Sequence, residues 1–207
     1  MTWANGITIG RLGIAVVCFI LLALAGRGDD APTRVALVDA AFACFLAGAI
    51  SDFLDGYVAR RFGEETAFGR MADPLVDKIL VCGTLVLMLG FADLRPVLPP
   101  WVVVVVVVRE FIVQGIRSLV EGSGIPFGAM FWGKQKMVIQ CVATGILFVY
   151  LAHRDLAGGD QALRVFSGLA VAGVVLMMLV TIGSGYGYLV AARRLLSSGA
   201  AAKAEKK

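Results

Sequence analysis

The chain has 207 residues, 59% of them hydrophobic and 16% charged, with a mean hydropathy of +0.85 and a formal charge of +4. Its polar residues are bunched between long apolar runs, which excludes an ordinary soluble domain and marks a polytopic membrane protein. There is room for about six spans of roughly 20 residues each and none for a separate soluble domain; basic residues in such a chain report orientation and anionic lipid, so nucleic acid is not an expected partner.

A first span is expected from about Ile7 to Ala25. It has neither a small-residue cleavage site nor a Lys/Arg-led start, so it reads as a retained helix. Ahead of it, Asn5, Thr8 and Arg11 mix with Trp3 and Ile7 as in a helix start lying at the interface. Gly26 to Arg34 is a turn-rich loop. The second span, about Val35 to Arg61, is longer than the hydrocarbon needs, so its last two turns, with Asp52, Asp55 and Arg60, emerge at the surface. A polar link, Phe62 to Thr66, leads into a third span from about Ala67 to Ala92.

Pro96, Pro99 and Pro100 stop that helix and open a fourth, Trp101 to about Leu119. Its seven consecutive valines would favour a strand in water. A lone strand in lipid leaves its backbone unpaired, so helix is expected. Glu121 to Lys136, with four glycines and a proline, forms a loop on the side of the aspartates. The fifth span covers about Met137 to Ala152 and the sixth about Ala162 to Ala192, separated by a turn on which His153 is solvated. These two spans carry almost no inward polar groups and read as scaffold or subunit contact. The expected fold is an all-α membrane protein with six transmembrane helices, forming one domain over residues 1–194 with a mobile polar tail at 195–207.

With the termini and the second-to-third and fourth-to-fifth connections on one side, that side holds 13 basic residues and the other 5, leaving out Arg109 within a span. Both termini and the aspartates are therefore expected to be cytoplasmic. Cys18, Cys44, Cys82 and Cys141 all fall in apolar runs without a C-x-x-C pair, as buried packing residues do.

The chemistry concentrates between Ser51 and Lys78, where Asp52, Asp55, Asp73 and Asp77 interrupt segments otherwise fit for lipid. Spacings of three and four put each pair on one helical face, on adjacent antiparallel helices near the same membrane surface. An ionised aspartate in a span costs on the order of 3 kcal/mol, and four together repel one another. Salt bridges to Arg60, Arg61, Arg70 and Lys78 would offset this; so would two divalent cations. Oxygen-only ligands point to Mg²⁺ or Mn²⁺, and a two-metal carboxylate site suits displacement at phosphorus. Gly56 and Ala59 lie beside the first pair and Gly69 one turn before Asp73, either to admit a flat nucleotide or to pack the helices closely.

A second basic group lies elsewhere. Arg109 falls near the middle of the fourth span. Arg109, Val113 and Arg117 share a stripe at i, i+4 and i+8, and Lys134 and Lys136 open the fifth span. Together the four basic residues could bind an anionic acceptor such as a phosphate ester. Alternatively, Arg109 pairs with a membrane carboxylate such as Glu110 and the lysines only set orientation. A divalent-cation transporter would also use acidic residues, but strung along several spans in a continuous path.

Asp52, two residues, Asp55-Gly56, two residues, Ala59-Arg60, eight residues, Gly69, three residues, Asp73, three residues and Asp77 resembles the motif of the CDP-alcohol phosphotransferase family, with eight identities over 26 residues. The resemblance extends to the six-span plan. It implies that Asp52, Asp55, Asp73 and Asp77 bind two metals, that Asp77 is also the catalytic base, and that Gly56, Ala59, Arg60 and Gly69 form the CDP pocket with the metal-binding aspartates. The opening Asn5 to Arg11, DPLVDK, REFIVQGIRS and GKQKMVIQ look like the phosphatidylglycerophosphate synthase branch. That branch transfers phosphatidyl from CDP-diacylglycerol to sn-glycerol 3-phosphate. Inositol phosphate and phosphatidylglycerol are the acceptors of neighbouring branches. The resemblance also implies a homodimer in the lipid bilayer of a bacterial cytoplasmic membrane, its active site facing the cytoplasm.

Overall fold

The computed structural model describes the backbone of residues 3–28, 30–62, 67–122, 131–154 and 160–204, and the side chains of residues 6, 9–28, 30–51, 78–120, 122, 135–154, 160–193 and 195. Among the described residues the chain forms six α-helices and no strand: α1 (Trp3–Ala25), α2 (Ala31–Phe62), α3 (Ala67–Met88), α4 (Pro100–Gly122), α5 (Phe131–His153) and α6 (Asp160–Ala204). A single 3-10 turn, Ala92–Leu94, joins α3 to α4.

The helix ends follow from local chemistry. Asp30 caps α2, its Oδ2 accepting the Thr33 amide at 3.0 Å. Hydrogen bonds from the Thr33 side chain and amide hold the Asp30 carboxyl below its ordinary value. Pro100 opens α4 at the first helical position, where its fixed φ suits the helix and its missing N–H is no loss. The valine run that follows is helical, as the need to pair its backbone in lipid requires. α6 continues to Ala204, into the stretch read from sequence as tail.

α1 packs on α2 and α3, α5 on α2 and α6, and α4 on α6. Two glycines set the closest approaches. A Cβ at Gly48 of α2 would lie 2.7 Å from Leu80 Cδ2 of α3, and one at Gly83 of α3 would lie 2.3 Å from the ring of Phe19 on α1. The core between α2 and α5 is aromatic, with Phe148 stacked on Phe42 at 5.3 Å and tilted against Phe45 at 5.5 Å. All four cysteines are free; Cys18 is fully buried, its Sγ 3.4 Å from Ala41 O, while Cys44, Cys82 and Cys141 are only partly buried.

Three described stretches are long and apolar enough to cross a membrane: Ala31–Ser51, Gln135–His153 and Asp160–Arg193. Ile9–Ala25 and Lys78–Met88 are shorter apolar stretches. Large side chains including Val16, Ile20, Leu169, Leu176, Leu179 and Ile182 face outward, an exterior that water disfavours and lipid tails accept. These features describe an integral membrane protein.

At the end where α1 and α3 finish, Asp93 is clamped by Arg34 of α2 and by Arg154 Nη1, the latter at 3.2 Å. His153, expected to be solvated, is the last residue of α5 and lies 3.3 Å from Asp39 of α2, both side chains remaining well exposed.

Candidate active site

Contacts along α1, α2 and α3 fix where the aspartates fall. Ile14, Gly48 and Leu80 meet at one level, and Cys18, Ala41 and Thr84 at another, so α2 runs antiparallel to its two neighbours. One turn beyond Gly48 is Asp52, and one turn before Leu80 is Asp77. The backbone thus carries Asp52 and Asp55 on the last turns of α2 and Asp73 and Asp77 on the first turns of α3, at the same end of the bundle. The side chains of Asp52, Asp55, Ala59, Arg60, Asp73, Asp77 and Lys134 lie outside the described residues, as do the surroundings of Gly56 and Gly69. Among the described residues there is no group of three or more metal-ligating side chains.

Immediately beside that end is a polar layer formed by four helices. Lys78, the residue after Asp77, donates to Gln114 Oε1 of α4 at 2.5 Å. One turn earlier on the same stripe of α4, Glu110 is 5% exposed. Its Oε1 accepts from Lys136 Nζ of α5 and from Arg109 Nη1 at 3.1 Å. Arg109 Nη2 turns to α6, donating to Ser184 Oγ at 2.8 Å, and the guanidinium lies over Tyr188 with 5.9 Å to the ring centroid. Ser184 Oγ also lies 2.5 Å from Val180 O, so its proton can go to that carbonyl while a lone pair receives Arg109.

α6 comes this close because position 185 is glycine. A Cβ there would sit 3.3 Å from Arg109 Cγ and 3.4 Å from its Nε. One turn deeper, Gln140 of α5 reaches Thr181 of α6 at 3.5 Å. The last two helices therefore do not present an almost apolar interior. Lys136, Gln140, Thr144, Thr181 and Ser184 are all buried, which corrects the expectation from sequence.

Of the four basic residues expected to form an acceptor site, Arg109 and Lys136 are brought together on Glu110. Arg117 is half-buried two turns along the same helix from Arg109. The sequence named Arg109 and Lys136, with Glu110 as the alternative partner of Arg109, but not Ser184, which receives Arg109, nor Gln114, which receives Lys78. A lone carboxylate inside an apolar span was the signal for Glu110; Ser184, among small residues of α6, gave none.

Residues 1–183 match the family model described as CDP-alcohol phosphatidyltransferase. The chain belongs to the CDP-alcohol phosphatidyltransferase family. It is accordingly an enzyme of the phosphatidyltransferase class. A Bacillus subtilis protein named "CDP-diacylglycerol--glycerol-3-phosphate 3-phosphatidyltransferase" is 35% identical over 153 residues, 70% of this chain and 76% of the relative. A Mycobacterium tuberculosis protein named "Probable phosphatidylglycerophosphate synthase" is 33% identical over 194 residues, 92% of this chain and 81% of the relative. A Rickettsia bellii protein with the same name as the Bacillus relative is 28% identical over 190 residues, 92% of this chain and 94% of its own. In this phosphatidyltransferase the matched region holds the whole aspartate motif with Arg109, Glu110 and Lys136, and stops one residue short of Ser184.

Proposed function

We propose that the chain transfers the phosphatidyl group of CDP-diacylglycerol to sn-glycerol 3-phosphate, with release of CMP, in phospholipid biosynthesis. The observation that carries this reading is the convergence of two aspartate-bearing helix ends with the Lys78, Arg109 and Lys136 layer, in a chain whose relatives are named for that reaction. An anionic, water-soluble acceptor accounts for the cations better than a lipid acceptor does.

The donor set Asp52, Asp55, Asp73 and Asp77 offers only carboxylate oxygens, which fits two Mg²⁺ or Mn²⁺ ions. Bound there, such ions would neutralise charge on the CDP pyrophosphate. Gly56, Ala59, Arg60 and Gly69, with Asp52, Asp55 and Asp73, form the CDP pocket. Asp77 takes the proton of the acceptor hydroxyl as its oxygen bonds to the phosphorus bearing the lipid. The bond from that phosphorus to the bridging oxygen breaks and CMP carries the electron pair away. Arg109, Arg117, Lys134 and Lys136 hold the acceptor's phosphate.

In the same reading all six helices cross the bilayer, both termini and the active site face the cytoplasm on the basic-residue asymmetry, and the enzyme works as a homodimer in a bacterial inner membrane. Residues 1–194 form the membrane domain. Purified protein is expected to release CMP from CDP-diacylglycerol with Mg²⁺ or Mn²⁺ when given glycerol 3-phosphate, and not with inositol 1-phosphate or phosphatidylglycerol. Asp77→Asn should abolish that release while CDP-diacylglycerol still binds. Silence with every acceptor would overturn the enzymatic reading, and loss of donor binding in the Asn variant would reduce Asp77 to a metal ligand.

A further inference from the structure

Glu110 stands outside the residues assigned so far, yet its ion pairs tie α4 to α5 and, through Arg109, lead to α6. A single oxygen, Oε1, takes both the Lys136 ammonium of α5 and the Arg109 Nη1 of α4. Because both cations share one atom, their separation is fixed by the carboxylate and not by their own flexible stems. Arg109 is then held from its far side by Ser184 and Tyr188, which carries the constraint to α6. Two buried cations without a carboxylate between them would repel and part. A phosphate ester is bound best by cations already held at a set spacing, since ordering long Lys and Arg side chains on binding opposes affinity.

We propose that Glu110 is a positioning residue for the acceptor. It touches no substrate, and it holds Lys136 and Arg109 in register for the acceptor's phosphate. This rests on the proposed role of Lys136 in binding that phosphate.

A double-mutant cycle in the full-length protein tests it. Glu110→Gln keeps the size and removes the charge; it should raise the KM for glycerol 3-phosphate about tenfold and leave that for CDP-diacylglycerol within about twofold. Glu110→Asp should recover part of the loss. Lys136→Met should raise the acceptor KM as well, and the rise in the double variant should fall short of the product of the two single rises, because Glu110 acts partly through Lys136 and partly through Arg109. If Glu110→Gln does not fold, the double variant, which removes the Glu110 and Lys136 charges together, is compared with Lys136→Met, an acceptor KM less than about tenfold above that of Lys136→Met being the supporting result.

Effects that add, a lowered unfolding temperature with both KM values unchanged, or a fall in acceptor KM would each overturn the proposal. The last would show the carboxylate competing with the phosphate. An unchanged acceptor KM in Lys136→Met would instead remove the acceptor reading on which the proposal rests, so the two failures are distinct.

Discussion

Replacing Gly48 with alanine would place a methyl carbon 2.7 Å from Leu80 Cδ2 and 3.7 Å from Ile14 Cγ2. Leu80 is buried in the core, so its isobutyl group can shift only by displacing its neighbours there. Overpacking of this kind costs about 1–3 kcal/mol, against which alanine returns about 1 kcal/mol of helix propensity over glycine. The net loss of stability should therefore be about 0–2 kcal/mol, a small effect. Activity should suffer more. Gly48 is one turn from Asp52 and Leu80 one turn from Asp77, so relief by spreading α2 from α3 moves the two aspartate pairs apart. Misplacement by about 1 Å can lower a rate on the order of a hundredfold, and a drop in kcat of about tenfold or more is expected at saturating CDP-diacylglycerol and glycerol 3-phosphate. Adding Leu80→Val removes the clashing Cδ2 and should return most of the lost kcat. A Gly48→Ala enzyme with unaltered kcat, or a double variant as slow as the single one, would refute the link between this contact and the site.

Two further outcomes concern the ends of the bundle. Asp93→Ala leaves Arg34 and Arg154 without the carboxylate between them; at roughly a quarter exposure for all three side chains the loss should be about 1–2 kcal/mol, seen as a lower unfolding temperature in detergent with both KM values unchanged. For Asp30, the folded carboxyl titrates below its unfolded value, so its stabilisation is fully present above the ordinary carboxylate range and is lost as pH falls through the depressed folded value. Unfolding temperatures of the wild type and Asp30→Ala should thus differ near neutral pH and converge in acid.

Much of the helix layout was legible because lipid leaves the backbone few options. Seven valines in a row had to be helical, and Pro100 had to stand at a helix start. Boundaries were less legible. α5 begins at Phe131, six residues before the apolar run that announced it, because a bundle-facing helix can carry Lys136 and Gln140 into its interior once partners exist. The aspartate motif was readable as spacing alone, since i, i+3 and i, i+4 fix a face in any helix. The polar layer was not. Glu110 finds Lys136 26 positions away, and Arg109 finds Ser184 75 positions away, and no periodicity within one helix encodes either pairing.

The same point decides how α4 should be counted. Pro100–Gly122 carries Arg109, Glu110 and Arg117 within its apolar run, so by composition alone it is not apolar enough to cross a membrane. Composition, however, does not distinguish a charge facing lipid from one facing the bundle. Trp101, Val104, Val108, Phe111, Ile112 and Leu119 are its large exposed side chains, with Ser118 an exposed polar one, whereas Glu110 is buried and Arg109 nearly so, each with a partner of opposite charge or a hydroxyl. The surface that α4 would show to lipid is therefore mostly apolar, and Arg109 and Glu110 are satisfied inside the protein. That division of faces is the physical reason to include α4 among the crossing helices of the proposed topology. Under the proposed function, glycerol 3-phosphate would then reach Arg109 and Lys136 from the aspartate end of the bundle and not through the bilayer.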